Sequence, residues 1–466
     1  MNGTHETKKY AADKIALLGL LIVAILIARL IIASRSAIVL SEPIKLNYAG
    51  LSVSLPTGNG WQSEKRWKYR ENAFTLSSFF DSGSGRVTGL TSCRYLLATT
   101  PATSDMLFKE KTSAVGGAIA DTGQTWTDKL TINWVHIKKP KAMFEMFFGT
   151  TRLPNNRQLD IEVYQAMGNA DLAGRLFKHI TESLKFEDNH LLEAGSEIIA
   201  EVKRKGLDSF LGSHFDKEPQ NGAPLDNQSR ENFFLIKDAA GRIIGFAMDV
   251  FVAAAVLQSP DFSQDAQPDI QAASFYYIRG RYDRQQVTFF QGRNNLDEFA
   301  WTSETSRTSG RSGAEIVLDK AGTMTVRKFG LKADEDKNYR LGSAAIPDIL
   351  ADLTFTQMLD SSHKKILVDI IDAEGAIIPA VISRIEGQQP TAAEEAAYVF
   401  KVELLDGQGF SEQVYLDSQR WVSKRLLQQE NIYTIERSSA ENVLKQFPER
   451  ADFLLRKKML EQNQPM

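Results

Sequence analysis

Ile366-Leu-Val-Asp-Ile-Ile-Asp372-Ala-Glu-Gly375-Ala-Ile-Ile-Pro-Ala-Val-Ile382 is the stretch that decides the fold. Two apolar, β-branched runs flank an Asp-x-x-Gly tetrad. The Asp carboxylate accepts hydrogen bonds from the backbone N–H groups ahead of it, and the Gly supplies the positive φ that closes a short bulged hairpin. The tetrad recurs at Asp238-Ala-Ala-Gly241, Asp319-Lys-Ala-Gly322 and Asp406-Gly-Gln-Gly409. A further run, Asp417-Ser-Gln-Arg420, keeps the Asp but has Arg where Gly would fall. A calcium loop needs acids at alternating positions and a terminal Glu, which these tetrads lack. They read as turns, and hairpins in series between residues 233 and 440 predict a large antiparallel sheet.

Working outward, 466 residues suit two or three domains. With 43% hydrophobic and 24% charged residues the chain can bury real cores. Lys+Arg 55 against Asp+Glu 58 leaves no basic excess for nucleic acid. A single cysteine, Cys93, excludes intrachain disulfides and cysteine-based zinc sites. In Ser92-Cys-Arg94, on an expected strand, it reads as a buried inert thiol.

Near the N-terminus, Ile15-Ala-Leu-Leu-Gly-Leu20-Leu-Ile-Val-Ala-Ile25-Leu-Ile-Ala-Arg29-Leu-Ile-Ile-Ala33 carries one charge in nineteen residues. As a helix it would reach roughly 28 Å, enough for a hydrocarbon core of about 30 Å. Arg29 can snorkel to the far interface. Lys8, Lys9 and Lys14 before it place the N-terminus inside. A cleaved secretory signal also has a basic start and an apolar middle. The run is long for one, and the sites after it match small-x-small poorly. The expectation is an uncleaved single-pass anchor in a bacterial inner membrane: a cytoplasmic tail at 1–14, the span at 15–33, and the bulk of the chain in the periplasm.

Residues 45–188 read as an α+β unit. Strands are predicted at Leu46–Leu55, Phe74–Phe80, Val87–Ala98, Lys129–Ile137, Ala142–Gly149 and Gln158–Met167, with helices at Ser104–Ala120 and Asp171–Leu184. Gly50-Leu-Ser-Val-Ser-Leu-Pro-Thr-Gly58…Gly60-Trp61 and the closing Ile180-Thr-Glu-Ser-Leu-Lys-Phe186 resemble PsbP-like and DcrB-like domains over about 140 residues. Those are accessory modules without a shared catalytic residue, so the resemblance implies no active site.

Leu191–Leu211 is an amphipathic helix, and the polar His214–Asn232 a loop. The strand-rich region 191–440 is crossed by an expected helix at Ile346–Thr356. Its Pro347-Asp-Ile-Leu-Ala-Asp-Leu-Thr-Phe-Thr-Gln-Met, Lys365-Ile-Leu-Val-Asp-Ile-Ile-Asp…Ile377-Ile-Pro and Tyr415-Leu-Asp…Arg420-Trp-Val resemble the LolA-like and LppX-like periplasmic half-barrels. They resemble more closely a related bacterial family of unknown function. That resemblance implies a half-barrel whose concave face holds a lipid or lipoprotein. A helix from 441, with Val443, Leu444 and Phe447 on its apolar side, and a tail complete the chain to 466.

No sequence chemistry names a reaction. Gly310-Arg-Ser-Gly313 misses the nucleophile elbow, and Gly83-Ser-Gly85-Arg-Val-Thr-Gly89 has the wrong spacing for a nucleotide loop. Asp297-Glu298 and Glu394-Glu395 are adjacent acids that point apart on strands. His136 and His179 read as structural, and no cofactor or metal is expected. Between Ser274 and Arg311 aromatic residues interleave with arginines. Tyr277, Arg279 and Arg281 share one strand face, and with Arg293 they form a candidate binding face for an anionic group. The alternative is a half-solvated face whose arginines pair with Asp283, Asp297 and Glu298. The expected function is non-enzymatic binding or assembly with other envelope proteins or with itself. The alternatives are a lipid or lipoprotein carrier and an envelope hydrolase with acidic catalytic residues.

Overall fold

The computed structural model describes residues 18–27, 38–46, 49–58, 60–68, 72–81, 87–97, 103–127, 129–139, 144–166, 170–187, 189–207, 209, 229–253, 269–279, 283–307, 310–331, 336–386, 396–405, 409–428 and 432–451. α1, residues 18–27, is helical, and Leu20 and Ile25 on it are exposed. Ile15, Arg29 and Ala33 lie outside the described residues. Among the described residues no helix is long and apolar enough to cross a membrane, so the expected span is not seen as one helix.

The first unit pairs β3 (Trp61–Lys68), β4 (Ala73–Asp81), β5 (Val87–Leu97), β6 (Ala118–Thr127), β7 (Leu130–Lys139), β8 (Phe144–Leu153) and β9 (Arg157–Ala166). They form one antiparallel sheet in the order 3-4-5-9-8-7-6. α3 (Ala170–Ser183) buries Leu176 and Ile180 in the core that this sheet shares with β2 (Leu51–Val53). That strand sits between β1 (Ile44–Leu46) and β10 (Lys185–Phe186).

Two expectations fail here for local reasons. The strand Leu46–Leu55 is broken at Gly50, which has φ +63 and no room for a Cβ, since Glu187 O would lie at 2.4 Å. The helix Ser104–Ala120 stops as α2 (Ser104–Val115), because Gly116 takes a left-handed conformation and caps it. The chain then enters β6, an edge strand with most of its length exposed, which lacks the apolar alternation that would have announced it. Cys93 is on β5, but its side chain lies outside the described ones.

The second unit is mixed α+β and mostly one antiparallel sheet of fifteen strands. The strands β11 (Ser229–Lys237), β12 (Ile243–Ala253), β13 (Ile270–Ile278), β14 (Arg284–Gly292), β15 (Phe299–Arg307), β16 (Gly310–Leu318), β17 (Thr323–Gly330) and β18 (Lys337–Arg340) follow one another as a meander. A second series runs through β19 (Ala345–Pro347), β20 (Lys365–Ile371), β21 (Ile377–Ile385), β22 (Tyr398–Leu404), β23 (Ser411–Leu416), β24 (Val422–Gln428) and β25 (Ile432–Ser438). Its last strand returns to pair with the first, Ile236 opposite Ile435. The two edges of the sheet are therefore β18 and β19, which only residues 341–344 separate. A meander whose end pairs with its beginning is a barrel open at one seam. Within it α4 (His190–Lys205) and α5 (Asp352–Leu359) share a core with the inward residues of the strands, among them Phe290, Ile316, Val368 and Phe400. The predicted crossing helix begins later than expected, because Ala345–Pro347 pairs as β19 and a 3-10 turn, Asp348–Leu350, intervenes. α6 (Ala440–Gln446) packs outside, where Val443 and Phe447 cover Phe246, Phe275 and Tyr277.

The tetrads behave as hairpin turns with a common bonding pattern. Gly241 N, Gly322 N and Gly375 N donate to Asp238 O, Asp319 O and Asp372 O, each at 2.9 Å. The glycines hold φ near +76. Arg420 adopts φ +68 in the glycine position of the fifth run, with its N–H on Asp417 O at 2.9 Å, so the turn forms without Gly. Of the Asp406 tetrad only Gly409, φ +71, is among the described residues. Gly241→Ala meets open space and is expected to cost about 1 kcal/mol for its left-handed backbone alone. Gly375→Ala would also place a Cβ 2.5 Å from Val326 of β17, and roughly twice that loss is expected in urea unfolding. Equal losses would show that the β20–β21 turn does not rest on β17.

The two units dock through the β8–β9 hairpin. Pro154, Asn155 and Asn156 form its three-residue loop, with both asparagines at positive φ. Asn156 Nδ2 donates to Leu341 O at 2.8 Å, and Asn155 Oδ1 accepts from Ser343 N at 2.6 Å, on the link that bridges the seam. One residue on, Arg157 reaches Asp369 of β20 at 2.5 Å, each side chain 1% exposed.

Candidate functional site

Alternation on the strands decides what faces the inside of the barrel. On β12, Phe246, Met248 and Val250 pack outward under α6, which turns Ala247, Asp249 and Phe251 inward. On β13 the outward set is Phe275 and Tyr277, and the inward set Ser274 and Tyr276. The inward residues, with Phe234, Trp301, Trp421, Leu353 and others, line a cavity of about 850 Å³ that α4 and α5 leave unfilled. Sites for small ligands span roughly 300–1,000 Å³.

The lining combines apolar walls with a compact group of charges. Arg425 of β24 lies between two acids: Nη2 donates to Asp352 Oδ1 at 2.5 Å and Oδ2 at 2.6 Å, and Nη1 to Glu412 at 2.7 Å. Burial works against the guanidinium charge, but Asp352 and Glu412 outweigh it and hold Arg425 protonated more firmly than usual. Asp249 and Asp348 face the same space, and among the described residues neither forms an ion pair. Burial pushes Asp249 up to about 6, against the opposing hydrogen bond from Ser274. Asp348 is itself exposed, at the side where the cavity opens to solvent. The protein walls around it still push its carboxyl to about 6, with Arg425 pulling down and Glu412, Asp352 and Asp249 pushing up. Three of the other cations are matched by acids: Arg420 and Lys205 hold Asp360 at 2.5 and 3.2 Å, and Arg437 holds Asp417 at 2.6 Å. Trp301 is 1% exposed, and among the described residues its indole N–H has no hydrogen-bond partner.

The residues singled out from the sequence sit elsewhere. Tyr277 is buried beneath Phe447, with its hydroxyl on Asp283 at 3.0 Å and the Arg450 guanidinium 4.3 Å from its ring centre. Arg279 pairs with Glu449 and lies 4.8 Å over the Phe447 ring. Arg293 lies 3.7 Å from both Asp269 and Glu298, and Arg281 is outside the described residues. The face holding Tyr277 and Arg279 is thus roofed by the C-terminal segment, and the opposite face of β13 lines the cavity. Asp249 had a sequence signal, a lone acid inside the apolar Phe246–Leu257, but nothing local showed what it faces. Asp348 had none, since an acid at a turn is ordinary. His136 contacts Glu145 at 3.0 Å and stacks on Phe147. Among the described residues no cluster of His, Cys, Asp or Glu is arranged to hold a metal ion.

No family model matches the chain, and no curated protein matches it. Among solved structures, a β-barrel-like protein of a domain of unknown function, DUF1849, from Brucella abortus is similar at 8% identity and a TM-score of 0.33. It is aligned over 96% of its own length and 46% of this chain. A DUF1089 family protein from Pseudomonas aeruginosa is similar at 10% identity and a TM-score of 0.18, over 95% of its length and 45% of this chain.

Proposed function

We propose that this chain is a binding protein of a bacterial envelope, held at the inner membrane by the 15–33 segment, with the barrel cavity as its ligand site. The observation that carries the reading is the cavity itself, since a close-packed interior rarely leaves such a volume unfilled. The α+β unit then serves as the docking partner that holds the barrel seam, a task without catalysis. The size of the cavity favours one small amphiphile over a whole lipoprotein. Native mass spectrometry of the full chain, released gently from non-ionic detergent, should show a retained small molecule. Ala247→Trp, which adds a large ring to the inner face next to Asp249, should come out empty. Equal spectra for both would remove the reading.

A second reading, carboxylate hydrolysis, draws on the two cavity acids, Asp249 and Asp348, with their raised pKa values. It requires turnover of a bound ester or glycoside that Asp348→Asn abolishes, whereas the binding reading requires recovery of the ligand unchanged.

A further inference from the structure

The charge balance inside the barrel says which end of an amphiphile it would take. Each cavity cation other than Arg284 has an acidic partner, as described for Arg425, Arg420, Lys205 and Arg437. Arg284, exposed at the start of β14, donates to Gln286 instead. Asp249 and Asp348 have no cationic partner among the described residues, and the nearest positive charge, Arg425, is already shared by Asp352 and Glu412. Asp249 is half-buried and Asp348 lies at the open side, and two ionised carboxylates facing one space repel each other unless a cation joins them. Tyr276, Trp301 and Trp421 line the same cavity, and aromatic side chains are the ones that best receive an organic cation.

We propose that the cavity binds a small organic cation, an ammonium group carried on an apolar body, with Asp249 and Asp348 as its counter-charges and the Tyr276, Trp301 and Trp421 side chains around it. This inference rests on the binding reading and narrows it. An anionic lipid head would meet two unpaired carboxylates and is disfavoured on the same grounds.

The pH dependence follows from the surroundings. The groups facing the pair are Asp352, Glu412, Arg425, Ser274 and Tyr276, with Arg284 beyond Tyr276. A cation binds the ionised carboxylates, so it draws their pKa values down from about 6, and lowering the pH through 6 must weaken binding.

The test is calorimetric titration of the full chain, in non-ionic detergent, with two probes of equal length, octylammonium and octanoate. Octylammonium should bind at least ten-fold more tightly than octanoate at pH 7.5, and about ten-fold more weakly at pH 5 than at pH 7.5. Asp249→Asn and Asp348→Asn should each weaken octylammonium about ten-fold and leave octanoate unchanged or improved. Both replacements keep the size of the side chain, and an unaltered circular dichroism spectrum and melting curve would establish that they fold. Octanoate binding as well as octylammonium, or ammonium binding indifferent to both replacements, overturns the assignment of charge and leaves the cavity as a binding site. Failure of both probes, with an empty cavity in the native mass spectrum, overturns the binding reading as well. If a native ligand is retained while neither probe binds, its own charge decides: a cation supports the proposal and an anion overturns it.

Discussion

Asp369→Ala should lower the unfolding free energy by about 3–5 kcal/mol, read as a shift of the urea midpoint at neutral pH. Asp369 and Arg157 are each 1% exposed, and they join β20 of the barrel to β9 of the α+β unit. Removing the carboxylate leaves a guanidinium inside the core that both units share, where Leu367 and Val381 of the barrel meet Leu153 and Leu159. The loss is the cost of that uncompensated charge, not the value of the pair. The double replacement Arg157→Met with Asp369→Leu should therefore recover most of it, since apolar residues of similar volume often match or exceed a buried ion pair. A loss under 1 kcal/mol for Asp369→Ala, or no recovery in the double variant, would mean that water reaches the pair. The neighbouring Asn155 and Asn156 contacts at residues 341–343 sit on the seam. The single variant should accordingly also speed proteolysis between β18 and β19.

The second large effect has a sign that only the structure supplies. Gly195 lies inside α4, and helix propensity alone predicts that Gly195→Ala adds up to about 1 kcal/mol of stability. Its Cβ would stand 1.9 Å from Leu367 O and 3.3 Å from Val368. The nearer obstacle is backbone in β20 and cannot swing aside, so the helix must move off the sheet. A net loss of roughly 1–3 kcal/mol is expected, as for other overpacked sites. Stabilisation by Gly195→Ala would show that α4 does not press on β20. Loss of ligand binding along with stability would show that the position of α4, whose last residue Lys205 lines the cavity, sets the cavity's shape.

Much of the fold was legible because its causes are local. Strands β4, β5, β7, β8 and β9 carry apolar alternation, α3 carries its stripe, and the Asp-x-x-Gly tetrads carry their own turn chemistry. Arg420 marks the limit of that reading, since its positive φ is held by the strands on either side and not by its own preference. β6 escaped notice because an exposed edge strand needs no apolar face. The candidate site was less legible. A period of two separates Tyr276 from Tyr277 but does not say which face meets a helix and which meets a cavity, and the aromatic-arginine pattern drew attention to the face that α6 covers.

Most of the strands, the Asp-x-x-Gly turns, the amphipathic stripe of α3 and the long apolar run near the N-terminus were thus determined by the sequence alone, through interactions within a few residues. Only the tertiary structure decided that β25 returns to β11, that β18 and β19 become the lips of a seam, and that Asp249, Asp348 and Arg425 face one space. The β11–β25 pairing joins residues about two hundred positions apart, such as Phe233 and Ser438. Their energies come from burial and charge shared across the barrel, which no local pattern records.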